Sequence, residues 1–380
     1  MADEKTSKLK DLLFGTQNIP ALIPGVVLAV VIMLIALLLT KMLGSLLGDF
    51  LHLKKNPLSP ILVAIILGLA VRNTASPSKT FDAGIKFGLK KLLRFGIILM
   101  GIRLSIFAVL KIGVLAVGMV VICITAALAI TMFIAKKIGI SEKLGTLIAA
   151  GTSICGVSAI VATGPTIQAE EEEIAYAVGT ITIFGIIATI VYPYLTELVL
   201  RLPVASAGFF LGTSVHDTSQ VTASALIYDQ LWSNKTASGL MGADIAITTK
   251  LVRNTFMMLV IPFLAFWFAR KNAGQTSEQK IQIMKYIPLF VIGYVVMGIV
   301  RSLGDAVFAD SAAWDCCWHF VKSSATYVIA VAITCIGLNT NIKKLTELGY
   351  RPFVCGLIAA VSVGVVSFLL VTAFGNYLQF

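Results

Sequence analysis

The sequence predicts an all-α polytopic membrane protein of about ten or eleven transmembrane helices, with broken helices and inverted structural repeats. Three observations carry this. The 380 residues are 58% hydrophobic, with a mean hydropathy of +0.93. Charged residues make up only 13% of the chain, about half the share of soluble domains. Apolar runs near the length of a bilayer span recur along the whole chain. A water-soluble protein of this size needs more charge to cover its surface. Soluble enzymes, disordered chains and nucleic-acid binders therefore fit poorly.

Residues 1–18 read as a polar lead-in, and 19–380 as a single membrane domain with short loops. The first apolar run starts near Ile19. It is too long for a signal-peptide core and no small-residue cleavage site follows, so it reads as a retained helix. The runs are 21–40, 58–72, 83–103, 111–134, 143–163, 174–198, 206–228, 246–270, 285–303, 323–340 and 351–374. Run 58–72 is short, and 143–163 and 206–228 are unusually polar. The net charge of +11 reads as basic residues flanking helices on the cytoplasmic side. If every run crosses, Lys136, Lys137, Lys143, Arg201, Arg270, Lys271, Lys343, Lys344 and Arg351 share the N-terminal side. The opposite side takes Lys54, Lys55, Arg103, Lys235, Arg301 and the acidic run Glu170–Glu173. The richer side is placed in the cytoplasm, giving a multi-pass inner-membrane protein of bacterial type with its C-terminus outside. Lys86, Lys90, Lys91 and Arg94 read as a cytoplasmic face for lipid headgroups. Trp314, Trp318 and Tyr327 read as interfacial anchors.

Two internal similarities suggest a repeat. Met100–Ile106 matches Ile336–Ile342 at an offset of 236 residues, and Gly113 and Gly349 keep that offset. These are the third and tenth runs, which point in opposite directions, as an inverted repeat requires. Gly151-Thr152-Ser153 recurs as Gly212-Thr213-Ser214, in the fifth and seventh runs, which share a parity. Repeats of about 58–198 and 206–374 accommodate both only if one polar segment is re-entrant or the second repeat is permuted.

The polar runs carry the candidate site. In the first, Gly151, Thr152, Ser153, Cys155, Gly156 and Ser158 sit at mid-helix. Irregular backbone is tolerated in a bilayer only where it lines a cavity, and a half-helix N-terminus there favours an anion. The plainer reading is small residues easing helix contacts. In the second, Gly212, Thr213 and Ser214 precede His216-Asp217-Thr218-Ser219-Gln220. His216, Asp217 and Ser219 are candidates for proton or cation coupling, and Gln220 would share a face with His216 if the stretch is helical. Lys250 and Arg253 lie three apart on one helix face, placed to neutralise an anion or to pair with Asp217, or else to snorkel to the interface. No metal pattern, cofactor motif or enzyme motif is present. Cys316 and Cys317 are adjacent in a loop and form no CxxC.

The stretches Lys90–Arg94, Gly101–Ser105, Gly151–Ala159, Glu171–Val178, His216–Val221 and Lys250–Arg253 resemble the YeiH-type family of bacterial membrane proteins, which carries a sulfate-exporter name. The resemblance covers most of the chain and relates it to bile-acid-symporter and arsenite-transporter folds. It implies panel and core domains with broken, crossing helices. It also implies a secondary transporter of a small anion of the sulfate, sulfite or organosulfonate class, coupled to protons or sodium. A passive anion channel, or a carrier of another small organic anion, is the alternative. The expected partners are that anion, a proton or sodium ion and membrane lipid. Small residues on several runs permit a homodimer without requiring one.

Overall fold

The computed structural model describes residues 19–50, 58–75, 77–232, 235–271, 289–308, 311–341 and 349–378. The polar lead-in 1–18 lies outside them, as do Lys343 and Lys344. The described chain is helical, with one isolated bridge between Lys235 and Met241. It is an all-α polytopic membrane protein. Among the described residues seven stretches are long and apolar enough to cross a bilayer: Ile19–Leu43, Ile106–Ile138, Glu171–Val199, Gly242–Phe268, Leu289–Val307, Ala312–Asn339 and Tyr350–Ala373. The chain separates into two compact units, Met1–Ile106 with Phe290–Lys343, and Phe107–Leu289 with Lys344–Phe380.

The first unit contains α1 (Ile19–Phe50), α2 (Pro60–Thr74), α3 (Asp82–Phe87), α4 (Leu93–Met100), and two later helices. A π-helical turn, Gly88–Leu92, joins α3 to α4 in one rod. Ser59 caps α2, accepting from the Leu62 amide, with Pro60 at the first helical position. Glycines let backbones touch. A Cβ on Gly25 would lie 2.3 Å from the Phe81 carbonyl, and one on Gly337 would lie 2.3 Å from that of Ile65. Contacts this close need small residues, because helices in lipid gain little from side-chain hydrophobicity. Cys316 and Cys317 belong to a helix, Ala312–Asn339, and are exposed. The loop expected there begins earlier, and Ser311 caps the helix it leads into.

The second unit contains α5 (Ile106–Ile138), α6 (Glu142–Ser153), α7 (Val157–Thr163), α8 (Glu171–Tyr194), α9 (Val204–Ser214), α10 (Thr218–Trp232), α11 (Gly242–Thr255) and α12 (Met257–Lys271). After α13 (Leu289–Val307) and α14 (Ala312–Asn339) of the first unit, α15 (Tyr350–Ala373) completes it.

The two polar runs do not cross. Extended end to end, α6, α7 and the 3₁₀ turn Gly164–Ile167 would separate their ends by over about 30 Å. Instead Lys143 Nζ donates to the Gln168 carbonyl at 2.7 Å, and Ser141 Oγ donates to Glu173. The chain enters and leaves at one end of the unit. The second run behaves the same way at the other end. Pro203 and Val204 at the start of α9 line one cavity of about 520 Å³ with Trp232 at the end of α10. Tyr228 Oη donates to Glu197 at 3.1 Å, and the Tyr194 and Trp232 rings lie 5.6 Å apart. Helix α8 spans the distance between the two ends. The broken, crossing helices implied by resemblance are therefore two re-entrant hairpins entering from opposite ends.

This corrects the charge map. Glu170–Glu173 share an end with Lys143 rather than opposing it, and Arg201 moves to the end that holds Lys235. The acidic run starts α8: the Glu170 amide donates to Glu173 Oε2 at 3.0 Å, closing a capping box.

In a background with Cys316 and Cys317 replaced by serine, single cysteines at Lys143 and Gln168 should label from one face of intact vesicles. Cysteines at Val204 and Trp232 should label from the other. Opposite-face labelling within either pair would overturn the re-entrant arrangement.

Candidate functional site

The hairpin tips are built by short sequence signals. Helix α6 ends at Ser153, and the chain turns through Ile154, Cys155 and Gly156. Gly156 has φ of +67°, a region that favours glycine. A Cβ on it would also lie 3.1 Å from that of Asp217, so the tips meet there. Helix α9 ends at Ser214, and Val215 is extended. Asp217 then opens α10. Its Oδ1 accepts from the Ser219 amide at 2.8 Å and the Ser219 hydroxyl at 2.5 Å, while its own amide donates to Gln220 Oε1 at 3.0 Å. Asp217 is thus the N-cap of α10, and the Asp-x-x-Gln spacing supplies the half of a capping box in which Gln220 satisfies the cap amide. Gln220 curls back toward the cap, and His216 precedes the helix, so the expected shared face does not form. Gly185 of α8 makes room, since a Cβ there would lie 2.0 Å from Gln220 Oε1.

Two helix C-termini now end inside the unit, leaving carbonyls without intrahelical partners. Lys250 and Arg253 of α11, both fully buried, satisfy them. Arg253 Nε donates to the Ser153 carbonyl at 2.6 Å, Nη2 to that of Thr152, and Nη1 to Thr213 at 2.7 Å and Val215 at 3.2 Å. Lys250 Nζ donates to Ile154 at 2.8 Å, Val215 at 3.2 Å and His216. Each cation therefore bridges both tips. Positive charge at a helix C-terminus is also favourable to the dipole. The three-residue spacing did place both on one face, but neither side chain forms an ion pair with Asp217 or snorkels. Their donors are taken by carbonyls because those carbonyls have no other partner.

The remaining candidates fall around this junction. Thr152, Ser153, Cys155, Gly156, Thr213, Ser214 and His216 are buried in it. The hydroxyls mostly turn back on their own helices: Ser153 Oγ to Ala150 at 3.3 Å, Thr213 Oγ1 to Phe209 at 2.7 Å, Ser214 Oγ to Phe210 at 2.6 Å. Their carbonyls, rather than their hydroxyls, do the junction's work. Gly151 and Gly212 serve packing. A Cβ on Gly151 would lie 2.8 Å from Ile160 on the other arm of its hairpin, and one on Gly212 would lie 2.7 Å from the Ala246 carbonyl. Cys155 Sγ lies 3.1 Å from Met257 Sδ. Ser158 is exposed at the tip, and Asp217 and Thr218 are half-buried. Both ring nitrogens of the buried His216 lack a hydrogen-bond partner.

Three residues were missed. Asn254 Nδ2 donates to Thr218 Oγ1 at 3.0 Å, tying α11 to α10, and its Oδ1 is buried without a partner. Its signal was a third polar residue beside Arg253. Ser367 of α15 shares a 2.6 Å hydrogen bond with Thr213, and nothing in its apolar run marked it. Asp229 accepts from the Ala243 amide at 3.0 Å and holds the start of α11. Among the described residues no group of three His, Cys, Asp or Glu gathers to bind a metal.

Arg253→Ala should destabilise the detergent-solubilised protein by about 3–5 kcal/mol, since three buried carbonyls lose their only side-chain donor. Arg253→Lys should recover little of this, because a point ammonium cannot span both helix ends. Thermal melting reads both, and a melting temperature unchanged in either would contradict the bridging role.

A family described as "Conserved hypothetical protein 698" matches residues 25–356. A UPF0324 membrane protein of Fusobacterium nucleatum is 32% identical over 327 residues, 84% of this chain and 90% of its own length. One from Bacillus anthracis is 32% identical over 320 residues, covering 84% and 88%. One from Streptococcus pneumoniae is 30% identical over 302 residues, covering 79% and 85%.

Proposed function

We propose that this chain, which belongs to the conserved hypothetical protein 698 family of membrane proteins, is a secondary transporter of a small anion that binds at the junction of the two hairpin tips. The carrying observation is the buried charge. Lys250 and Arg253 bring two positive charges into the junction and Asp217 brings one negative charge. Ionisable groups at such depth generally serve transport, and the excess of positive charge favours an anion. The cations set that field and the shape of the tips, while Ser158 and Thr218, more exposed than the other polar residues of the tips apart from Asp217, would meet the substrate.

The finer assignments rest on resemblance and sequence. Sulfate, sulfite or an organosulfonate is the substrate class suggested by the YeiH-type likeness, and the same likeness suggests the relation to bile-acid symporters. His216 and Asp217 are the candidates for proton or sodium coupling. The basic loops favour a cytoplasmic N-terminus in a bacterial inner membrane.

Both internal similarities also find a place in this reading. The hairpins carry the matching Gly-Thr-Ser triplets and enter from opposite ends. The rod α3–α4 matches α14 at the other offset. A repeat of α2, α3–α4, α5, first hairpin and α8 would then pair with α13, α14, α15, second hairpin and α11–α12. The second copy is permuted, and each pair is inverted. Alternating access between such repeats is the mechanism proposed.

Proteoliposomes test this directly. Uptake of labelled sulfate, sulfite or isethionate should saturate and should be driven uphill by a proton or sodium gradient. Asp217→Asn keeps a capping oxygen for α10, so it should stay folded and lose gradient-driven accumulation. Flux that does not saturate and ignores both gradients would identify a passive channel. Absence of flux with all three anions would refute the sulfur-oxyanion class, and unchanged accumulation in the Asp217 variant would remove its coupling role.

A further inference from the structure

We infer that the Lys250 ammonium is a tethered cation, standing in a backbone-carbonyl cage that would otherwise take a free monovalent ion. Three carbonyls converge on Lys250 Nζ, from Ile154 of one tip and from Val215 and His216 of the other. They come from two separate chain breaks, so neither hairpin forms the cage alone. In broken-helix transporters, unwound carbonyls and half-helix C-termini are the groups that coordinate coupling cations. Rings of carbonyls can likewise replace the hydration shell of an alkali ion. Here the same groups surround a lysine, a compact point charge with three donors, and all three are used. The residue is fully buried, so solvent does not share the task. Arg253 serves a different set, the Thr152, Ser153 and Thr213 carbonyls, and meets Lys250 only at Val215. The cage is thus separable from the arginine bridge.

The consequence is a protein whose tip junction carries its positive charge covalently and needs no sodium or potassium to close. Any coupling ion would act outside this cage. The inference concerns the junction itself and holds whichever anion is moved.

The test is thermal melting of purified protein in sodium, potassium, ammonium or N-methylglucamine chloride at equal ionic strength. Wild type should melt at the same temperature in potassium, ammonium and N-methylglucamine, and sodium held at a separate coupling site would shift wild type and every variant alike. Lys250→Ala removes the charge and leaves space. It should melt lower in N-methylglucamine and regain about 2–4 °C, saturably, with at least one of the small cations, as mass action requires of an ion that binds only the folded state. Lys250→Met fills the space with an uncharged stem and should show no response beyond that of wild type. Equal melting of Lys250→Ala in all four salts would overturn the inference. So would a response of the same size in Lys250→Met, or in wild type to potassium or ammonium. Failure to recover folded Lys250→Ala in any of the salts would also overturn it, because a cage able to hold a free ion would fold with one. Stability, not transport, is the readout, so this result is independent of the flux measurements.

Discussion

Backbone carbonyls at two buried helix ends are the constraint around which the second unit is organised. An α-helix that stops inside a bilayer leaves its last carbonyls without partners, and each costs several kcal/mol in hydrocarbon. Here two such ends face each other, those of α6 and α9. One helix, α11, supplies two cations a turn apart, and their seven hydrogen bonds reach six carbonyls. The cations in turn are tolerable at this depth only because those carbonyls surround them. Neither half of the arrangement is stable without the other, which explains how so polar a junction sits in so apolar a chain.

The hairpins also depend on close backbone approach. Gly151 lets the arms of the first hairpin touch, Gly212 lets α9 lie against α11, and Gly156 turns the first tip against Asp217. Hydrophobic clusters then fix the arms. Val120, Ile154, Cys155, Met257 and Ile261 pack around the first tip, while Leu147, Ile160, Ile181 and Phe268 pack nearer its base. Polar junction and apolar walls are thus contributed by the same helices on different faces.

Much of this was legible in the residues. Hydropathy located the apolar core of each described membrane segment, because span length and apolar composition are local properties, but it missed the polar first turns of Ala312–Asn339 that hold Cys316 and Cys317. The Gly-Thr-Ser triplets and the Lys250–Arg253 spacing marked the elements that meet. What local pattern could not supply was direction. A polar run that turns back has the same composition as one that crosses, so Glu170–Glu173 and Arg201 were placed at the wrong ends. The partner of Arg253 was also hidden, since backbone carbonyls have no sequence signature. Asp217 and Gln220 were read as chemistry, although their spacing is that of a helix start. Ser367 came from a helix more than 150 residues away from Thr213 and left no trace in its own run.

The placement of both cations on α11 has a mechanical consequence. Each side chain holds both tips, so lifting one hairpin away from α11 would leave that hairpin's carbonyls without their donors. The two tips and α11 are thereby joined as one hydrogen-bonded unit. Neither hairpin can act as a separate flap over the junction, and a change of exposed face would have to carry the whole clasp rather than unfasten it.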